Sequence, residues 1–129
     1  MRRRSKKTQK RIEETSDWRD WLRFHVGQCE VCGVKPKHNQ WLLDVHEIAR
    51  GPNRLKALDK PYAVLVLCRW CHMDRIHGNE TWPEARQLWY LRKSRPSDFD
   101  LVSYNKLIGY GPDRITVEDV DQWTENEKN

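Results

Sequence analysis

The chain of 129 residues has little glycine or proline, with six of each, and only two methionines and two phenylalanines. This composition excludes collagen-like and low-complexity chains. The longest unbroken apolar run covers residues 62–68, far fewer than the roughly 20 residues that a membrane helix requires. No apolar stretch follows the basic N-terminus, so a secretory signal is not indicated. We expect a cytoplasmic protein with no membrane partner, whose cysteines stay reduced.

Acidic residues are missing from residues 1–11, which carry seven lysines and arginines. Residues 113–129 carry six acids, and the whole chain has a net charge of +5. We predict that residues 1–11 form a disordered basic arm when unbound. Such an arm suits a polyanion, most simply nucleic acid, although a solvated tail is the simpler alternative.

Apolar residues make up 37% of the chain and charged residues 33%, so the core is small and needs a further source of stability. Two C-x-x-C pairs, Cys29 with Cys32 and Cys68 with Cys71, are separated by 35 residues. In a reduced compartment this pairing predicts one zinc ion held by the four thiolates. The alternatives are buried free thiols or two disulfides.

The apolar spacing and the breaker residues predict a mixed α+β fold. We predict a helix over 12–27, strands over 41–48 and 62–67, a short helical stretch to residue 78, a helix from Pro83 to Lys93, a helix from Ser97 or Asp98 to Gly109, and a last helix capped by Thr116 and Asp119. The chain divides into the arm 1–11, the helix 12–27, a cysteine-bearing domain 28–78 and a helical extension 79–129.

Residues with catalytic chemistry lie between the two cysteine pairs and just after them. They are Asp44, His46 and Glu47 on the first predicted strand, Asn53 in the following loop, and His72 and His77 after the last cysteine. With the cysteine pairs, this order resembles the zinc-stabilised HNH endonuclease family over residues 28–78. Small free-standing members of that family are often encoded by phages.

The resemblance implies a ββα-metal fold, in which a β-hairpin and a helix surround a catalytic divalent metal. It implies a DNA endonuclease that nicks or cuts both strands by hydrolysing phosphodiester bonds, as a monomer or a dimer. Mg²⁺ or Mn²⁺ is the expected catalytic metal, with Ni²⁺ or Zn²⁺ as alternatives. Carried onto this chain, His46 and His72 are metal ligands, Glu47 is the general base and Asn53 orients the loop. His77 is a further ligand or a phosphate contact.

The chain departs from the family pattern at Glu47, where a histidine is usual. A carboxylate with an ordinary pKa of about 4.3 is a weaker base than imidazole. In a second assignment of the roles, His46 is the base, and Asp44 or Glu47 holds the metal with His72. Strand alternation places Asp44 and His46 on one face and Glu47 on the other, which favours this second assignment if the strand is regular.

Two other functions compete with the nuclease. The first is a catalytically inactive, zinc-stabilised nucleic-acid-binding module, and Glu47 is the feature that favours it. The second is a zinc-held protein adaptor that uses tryptophan-rich helices as its contact surface. For a nucleic-acid partner, Arg50, Arg54 and Lys56 in the loop around Asn53 are candidate phosphate contacts.

Overall fold

The structure is a computed structural model, and it describes residues 5–37, 39–78, 81–109 and 114–126. The described chain combines helices with a small two-stranded antiparallel sheet, which confirms the mixed fold class. The elements in chain order are α1 (Lys6–Val26), β1 (Leu43–Glu47), α2 (Asn53–Ala57), β2 (Val64–Cys68), a π-helix (Cys71–Ile76), α3 (Glu84–Ser94), α4 (Leu101–Ile108) and α5 (Val117–Asn126). A 3₁₀ turn precedes each strand, at Gln40–Leu42 and at Pro61–Ala63.

Helix α1 begins at Lys6, so the predicted boundary between a disordered arm and a helix at residue 12 is wrong. The side chain of Ser5 accepts a hydrogen bond from the Thr8 N–H at 3.1 Å, and such a cap satisfies a backbone donor that the helix start leaves unpaired. At the other end, Gly27 adopts φ 68° and closes the helix, as predicted. Residues 1–4 lie outside the described part of the chain.

The first turns of α1 are also held to the rest of the molecule. The Arg11 guanidinium donates to both carboxylate oxygens of Asp59, at 2.7 and 3.3 Å, and to the Leu55 carbonyl at 3.1 Å. Contacts of this kind, between residues more than 40 positions apart, leave no trace in local sequence. They hold the N-terminal part of α1 to the rest of the molecule, although residues 6–11 include no apolar residue.

The two strands form a hairpin with a long connection. β1 and β2 pair antiparallel, from Leu43 opposite Cys68 to Glu47 opposite Val64. One sheet face packs against Leu22 of α1, and the other packs on a core from the C-terminal helices and the π-helix. Because both faces are covered, the β2 sequence is continuously apolar. Both strands lie close to their predicted positions.

The C-terminal helices follow their predicted start and stop signals closely. α3 begins directly after Pro83, and α4 ends at Gly109 with φ 96°. Thr116 and Asp119 exchange the reciprocal cap hydrogen bonds, at 2.9 and 3.1 Å. The cap of α4 is Asp100 rather than Ser97 or Asp98. None of the helices in the described segments has the length and apolar character needed to cross a membrane.

Candidate metal centres

The first candidate centre is the cysteine cluster. The Sγ atoms of Cys29, Cys32, Cys68 and Cys71 lie within 4.8 Å of one another, and all four are free thiols. The Cys32 and Cys68 sulfurs are 3.8 Å apart, well beyond a disulfide bond of about 2.05 Å. Two thiolates on a tetrahedral zinc with Zn–S bonds of about 2.3 Å are separated by about 3.8 Å. The cluster therefore fits a metal such as zinc.

Backbone amides support the same interpretation. The Cys32 N–H points at the Cys29 sulfur at 3.5 Å, and the Cys71 N–H points at the Cys68 sulfur at 3.4 Å. Burial and the nearby Cys29 raise the pKa of the Cys71 thiol, so thiolates this close need a cation to balance them. Four cysteines would fill all positions of a tetrahedral metal site and leave none open, which is the arrangement typical of structural zinc sites.

Glu30, inside the first cysteine pair, is buried and fully hydrogen-bonded. Its side chain is 0% exposed and lies 2.9 Å from Arg95 in a salt bridge. It also accepts from the Val66 N–H of β2 at 2.8 Å and from the Ser94 hydroxyl. This residue joins the first cysteine pair to β2 and α3. Sequence reasoning missed it, because a glutamate between two cysteines is not a specific signal.

The second candidate centre is a cluster of three histidines, His46, His72 and His77, with one ring nitrogen of each within 4.8 Å of the others. The ring centroids are separated by 4.9 to 5.2 Å. His46 lies on β1, and His72 and His77 lie on and just after the π-helix. The sequence predicted His46 and His72 as metal ligands and left His77 as a ligand or phosphate contact. The structure brings all three together.

The π-helix explains how two histidines five positions apart share one side. Around an α-helix with 3.6 residues per turn, they would point about 140° apart. Here the His77 N–H bonds to the His72 carbonyl at 3.3 Å, a five-residue closure that widens the turn. No sequence signal predicts this local geometry.

His46 is held in its neutral form by its surroundings. It is 7% exposed, and burial lowers the pKa of His46 to about 4, with His72 and His77 contributing in the same direction. Its Nε2 atom lies 2.7 Å from Gln87 Oε1. A neutral imidazole is the form that binds metal.

Asp44 orients a histidine in this structure. Its carboxylate lies 3.0 Å from His72 Nδ1 and 3.2 Å from the exposed Arg69. A carboxylate that accepts from Nδ1–H leaves Nε2 as the nitrogen available to a metal. The expected alternative, Asp44 as a direct ligand, is therefore less consistent with its contacts than a role in orienting His72.

Glu47 lies between two guanidinium groups. It makes salt bridges with Arg19 at 2.8 Å and with Arg54 at 3.2 Å, and its side chain is 9% exposed. Arg19 comes from α1 and also donates to the Val45 carbonyl at 2.6 Å. Sequence reasoning singled out Glu47 and Arg54, but it could not find Arg19, because nothing local links α1 to β1.

A cleft of about 710 Å³ contains the histidine cluster and Glu47, and α1 forms one of its walls. Four arginines line it: Arg19, Arg23, Arg50 and Arg54. Lys56 is absent from this lining. Asn53 lines a second depression beside α5 instead, and its backbone N–H donates to the Arg50 carbonyl at 3.3 Å, at the start of α2. Asn53 is thus not among the residues that line the histidine cleft, and its predicted role in orienting the loop stays a prediction.

The cysteine and histidine clusters share the segment from Cys68 to His77. Cys71 is buried in the core and its neighbour His72 is partly exposed, so one short helix serves both clusters.

Comparison of the chain with protein-family models, with curated proteins and with solved structures finds no match.

Proposed function

We propose that this protein is a metal-dependent DNA endonuclease of the HNH type, stabilised by zinc at the cysteine cluster. The observation that carries the proposal is the cluster of His46, His72 and His77 in an arginine-lined cleft. β1 of the hairpin supplies His46, and the π-helix and its C-terminal cap supply His72 and His77, an arrangement that resembles the ββα-metal motif. The further step from metal site to nuclease rests on the resemblance and on the charge of the cleft.

The three histidines would hold one divalent cation. When bound, such a cation stabilises charge on the phosphate and on the leaving oxygen. Imidazole ligands suit Ni²⁺ and Zn²⁺ better than Mg²⁺, which prefers oxygen ligands. We therefore expect Ni²⁺ or Zn²⁺ to support activity at least as well as Mg²⁺, whereas the resemblance alone favours Mg²⁺ or Mn²⁺.

Glu47 is the proposed general base. β1 pairs regularly as far as Glu47, so His46 and Glu47 start from opposite faces of the strand, but both side chains line the same cleft. Arg19, with a side chain 18% exposed, holds one carboxylate oxygen, whereas Arg54 is 65% exposed. When Arg54 moves to a substrate phosphate, the second oxygen of Glu47 is free to accept a proton from water. His46 does not suit this role, since Gln87 occupies its Nε2 and the other ring nitrogen is needed for the cation.

The cleft arginines would hold the DNA backbone. The side chains of Arg50 and Arg54 are 53% and 65% exposed, so phosphates can reach them from solvent. Such contacts position a strand without reading its sequence.

The test is cleavage of supercoiled plasmid by zinc-loaded protein, with Ni²⁺, Zn²⁺, Mn²⁺ or Mg²⁺ added and an EDTA control. Wild type should nick the plasmid, and His72→Ala should lose at least about 10²-fold in rate, because it removes a ligand. His25→Ala is the matched control, since His25 is exposed on α1 and stacks on Trp21 away from the cluster. The nuclease proposal fails if wild type never nicks with any of these metals.

Two substitutions distinguish Glu47 as the general base from His46 as the general base. Glu47→Gln should lower the rate about 10²–10⁴-fold at every metal concentration if Glu47 is the base. Asp44→Asn should weaken metal binding about 10–100-fold, because it removes the partner that orients His72, and excess metal should restore activity. A Glu47→Gln variant as active as wild type would contradict its role as base.

One observation favours a second candidate, a nucleic-acid-binding module without activity. Each carboxylate oxygen of Glu47 is held by an arginine, so neither oxygen is open to a water molecule if Arg54 does not leave. This module would bind DNA with a steep salt dependence and would not nick it under any condition above.

A further inference from the structure

Gln87 is a buried amide in the first turn of α3, outside the segment that resembles a nuclease. It is 1% exposed, and both ends of its side chain are hydrogen-bonded. The Nε2 group donates to the Trp82 carbonyl at 2.9 Å, and Oε1 lies 2.7 Å from His46 Nε2. A buried amide is costly unless both ends are paired, so these contacts fix its orientation.

The chemistry of the partners fixes which nitrogen of His46 carries a proton. The Trp82 carbonyl can only accept, so the NH₂ group of Gln87 must face it, and the amide oxygen must face His46. An amide oxygen also only accepts. His46 Nε2 therefore carries the hydrogen, and Nδ1 is left with the lone pair.

Trp82 also contacts the π-helix, which carries His72 and ends just before His77. The Trp82 N–H donates to the Ile76 carbonyl, the last residue of the π-helix, at 3.0 Å. The Gln87 side chain thus joins β1 to Trp82, and the Trp82 backbone continues the link to the end of the π-helix.

We infer that Gln87 is a positioning residue that holds His46 in its Nε2–H tautomer, so that Nδ1 is the nitrogen presented to a metal. The consequence for metal binding rests on the proposed function, whereas the tautomer is a property of the protein alone. The helical extension then completes the histidine site, in addition to packing on the hairpin.

The first measurement is the tautomer of His46, by long-range ¹H–¹⁵N correlation NMR on zinc-loaded protein without a second metal. Wild type should show the neutral Nε2–H pattern. Gln87→Met, close in size but without an acceptor, should show a mixture of tautomers. Gln87→Glu restores the acceptor but not the donor, so the Nε2–H pattern should persist. A wild-type spectrum with the Nδ1–H pattern overturns the inference.

The second measurement is the affinity of the same zinc-loaded proteins for Ni²⁺, by calorimetric titration. Gln87→Met should weaken binding about 10–100-fold, the usual effect of losing a hydrogen-bond partner of a ligand, and Gln87→Glu should bind like wild type. Asn105→Ala is the control, since Asn105 is a buried amide on α4 that pairs with the backbone of Ile115. Its loss should lower stability and leave Ni²⁺ affinity unchanged.

Unchanged Ni²⁺ affinity in Gln87→Met would also overturn the inference. If Gln87→Met does not fold, the spectra of wild type and of Gln87→Glu decide the question. A Gln87→Glu spectrum without the Nε2–H pattern counts against the inference. Neither measurement uses DNA. A protein with the expected tautomer and affinities that never nicks DNA would refute the nuclease and leave the role of Gln87 intact.

Discussion

At the scale of single residues, the least expected feature is the charge pair of Glu30 and Arg95. Arg95 contacts both carboxylate oxygens, at 2.9 and 3.1 Å, and also donates to the Val64 carbonyl at 2.6 Å. The side chains are 0% and 9% exposed. A pair this buried adds little net stability by itself, but removing one partner leaves the other charge uncompensated.

We therefore expect Glu30→Ala to lower the free energy of unfolding by about 3–5 kcal/mol. Urea unfolding of the zinc-loaded protein, followed by tryptophan fluorescence, measures this change. Asp121→Ala is the matched control, because it breaks the exposed Arg92 pair at 2.6 Å, and such surface pairs contribute at most about 1 kcal/mol. Equal effects of the two substitutions would show that Glu30 is not held as the structure has it.

At the scale of elements, the features that sequence could predict are those set by near neighbours. Pro83, Gly109 and the Thr116–Asp119 cap act within one helical turn, and their helices are where they were predicted. The strands could be predicted because β-branched and apolar residues run between breakers. The two cysteine pairs and the histidines His46 and His72 were found by spacing and order.

What sequence could not predict depends on distant partners or unusual turns. The pair of His46 with Gln87 spans 41 positions, and that of Arg19 with Glu47 spans 28. The π-helix changes which residues share a face, so His77 could not be placed on the side of His72 from helical periodicity. The start of α1 was missed because an exposed, basic first turn resembles a disordered arm.

The cysteine cluster joins elements that otherwise lie far apart in the chain, since it links the loop after α1 to the end of β2 and the π-helix. We expect Cys68→Ala to lose zinc and to be unfolded or strongly destabilised, because metal binding in small domains contributes directly to folding. Elemental analysis and far-UV circular dichroism measure both effects.

Wild type from which zinc has been removed by a chelator is the control for that variant. It should unfold in the same way and refold when zinc is added back, whereas Cys68→Ala should not. Wild type that contains no zinc, with four reactive thiols and an intact fold, would contradict this prediction.

At the scale of the whole molecule, the first turns of α1 carry lysines and no acidic residue, and they lead into the cleft with its four arginines. Lys6, Lys7 and Lys10 are exposed on the first turns of α1, just before Ile12, where α1 begins to line the cleft. Deleting residues 1–11 would also remove Arg11 and its contacts with Asp59. Deletion therefore mixes loss of charge with loss of structure, and substitution is the cleaner test.

We expect the triple change of Lys6, Lys7 and Lys10 to Gln to weaken DNA binding and to make it less sensitive to salt. Each phosphate contact contributes about 0.9 to the slope of log affinity against log salt, so the slope should fall by up to about 2.7. Fluorescence anisotropy with a labelled duplex at several salt concentrations measures it. Lys93→Gln with Lys106→Gln, exposed on α3 and α4 and outside the cleft lining, should leave the slope unchanged. If the control pair lowers the slope and the α1 lysines do not, DNA lies on the C-terminal helices, and the cleft is not where it binds.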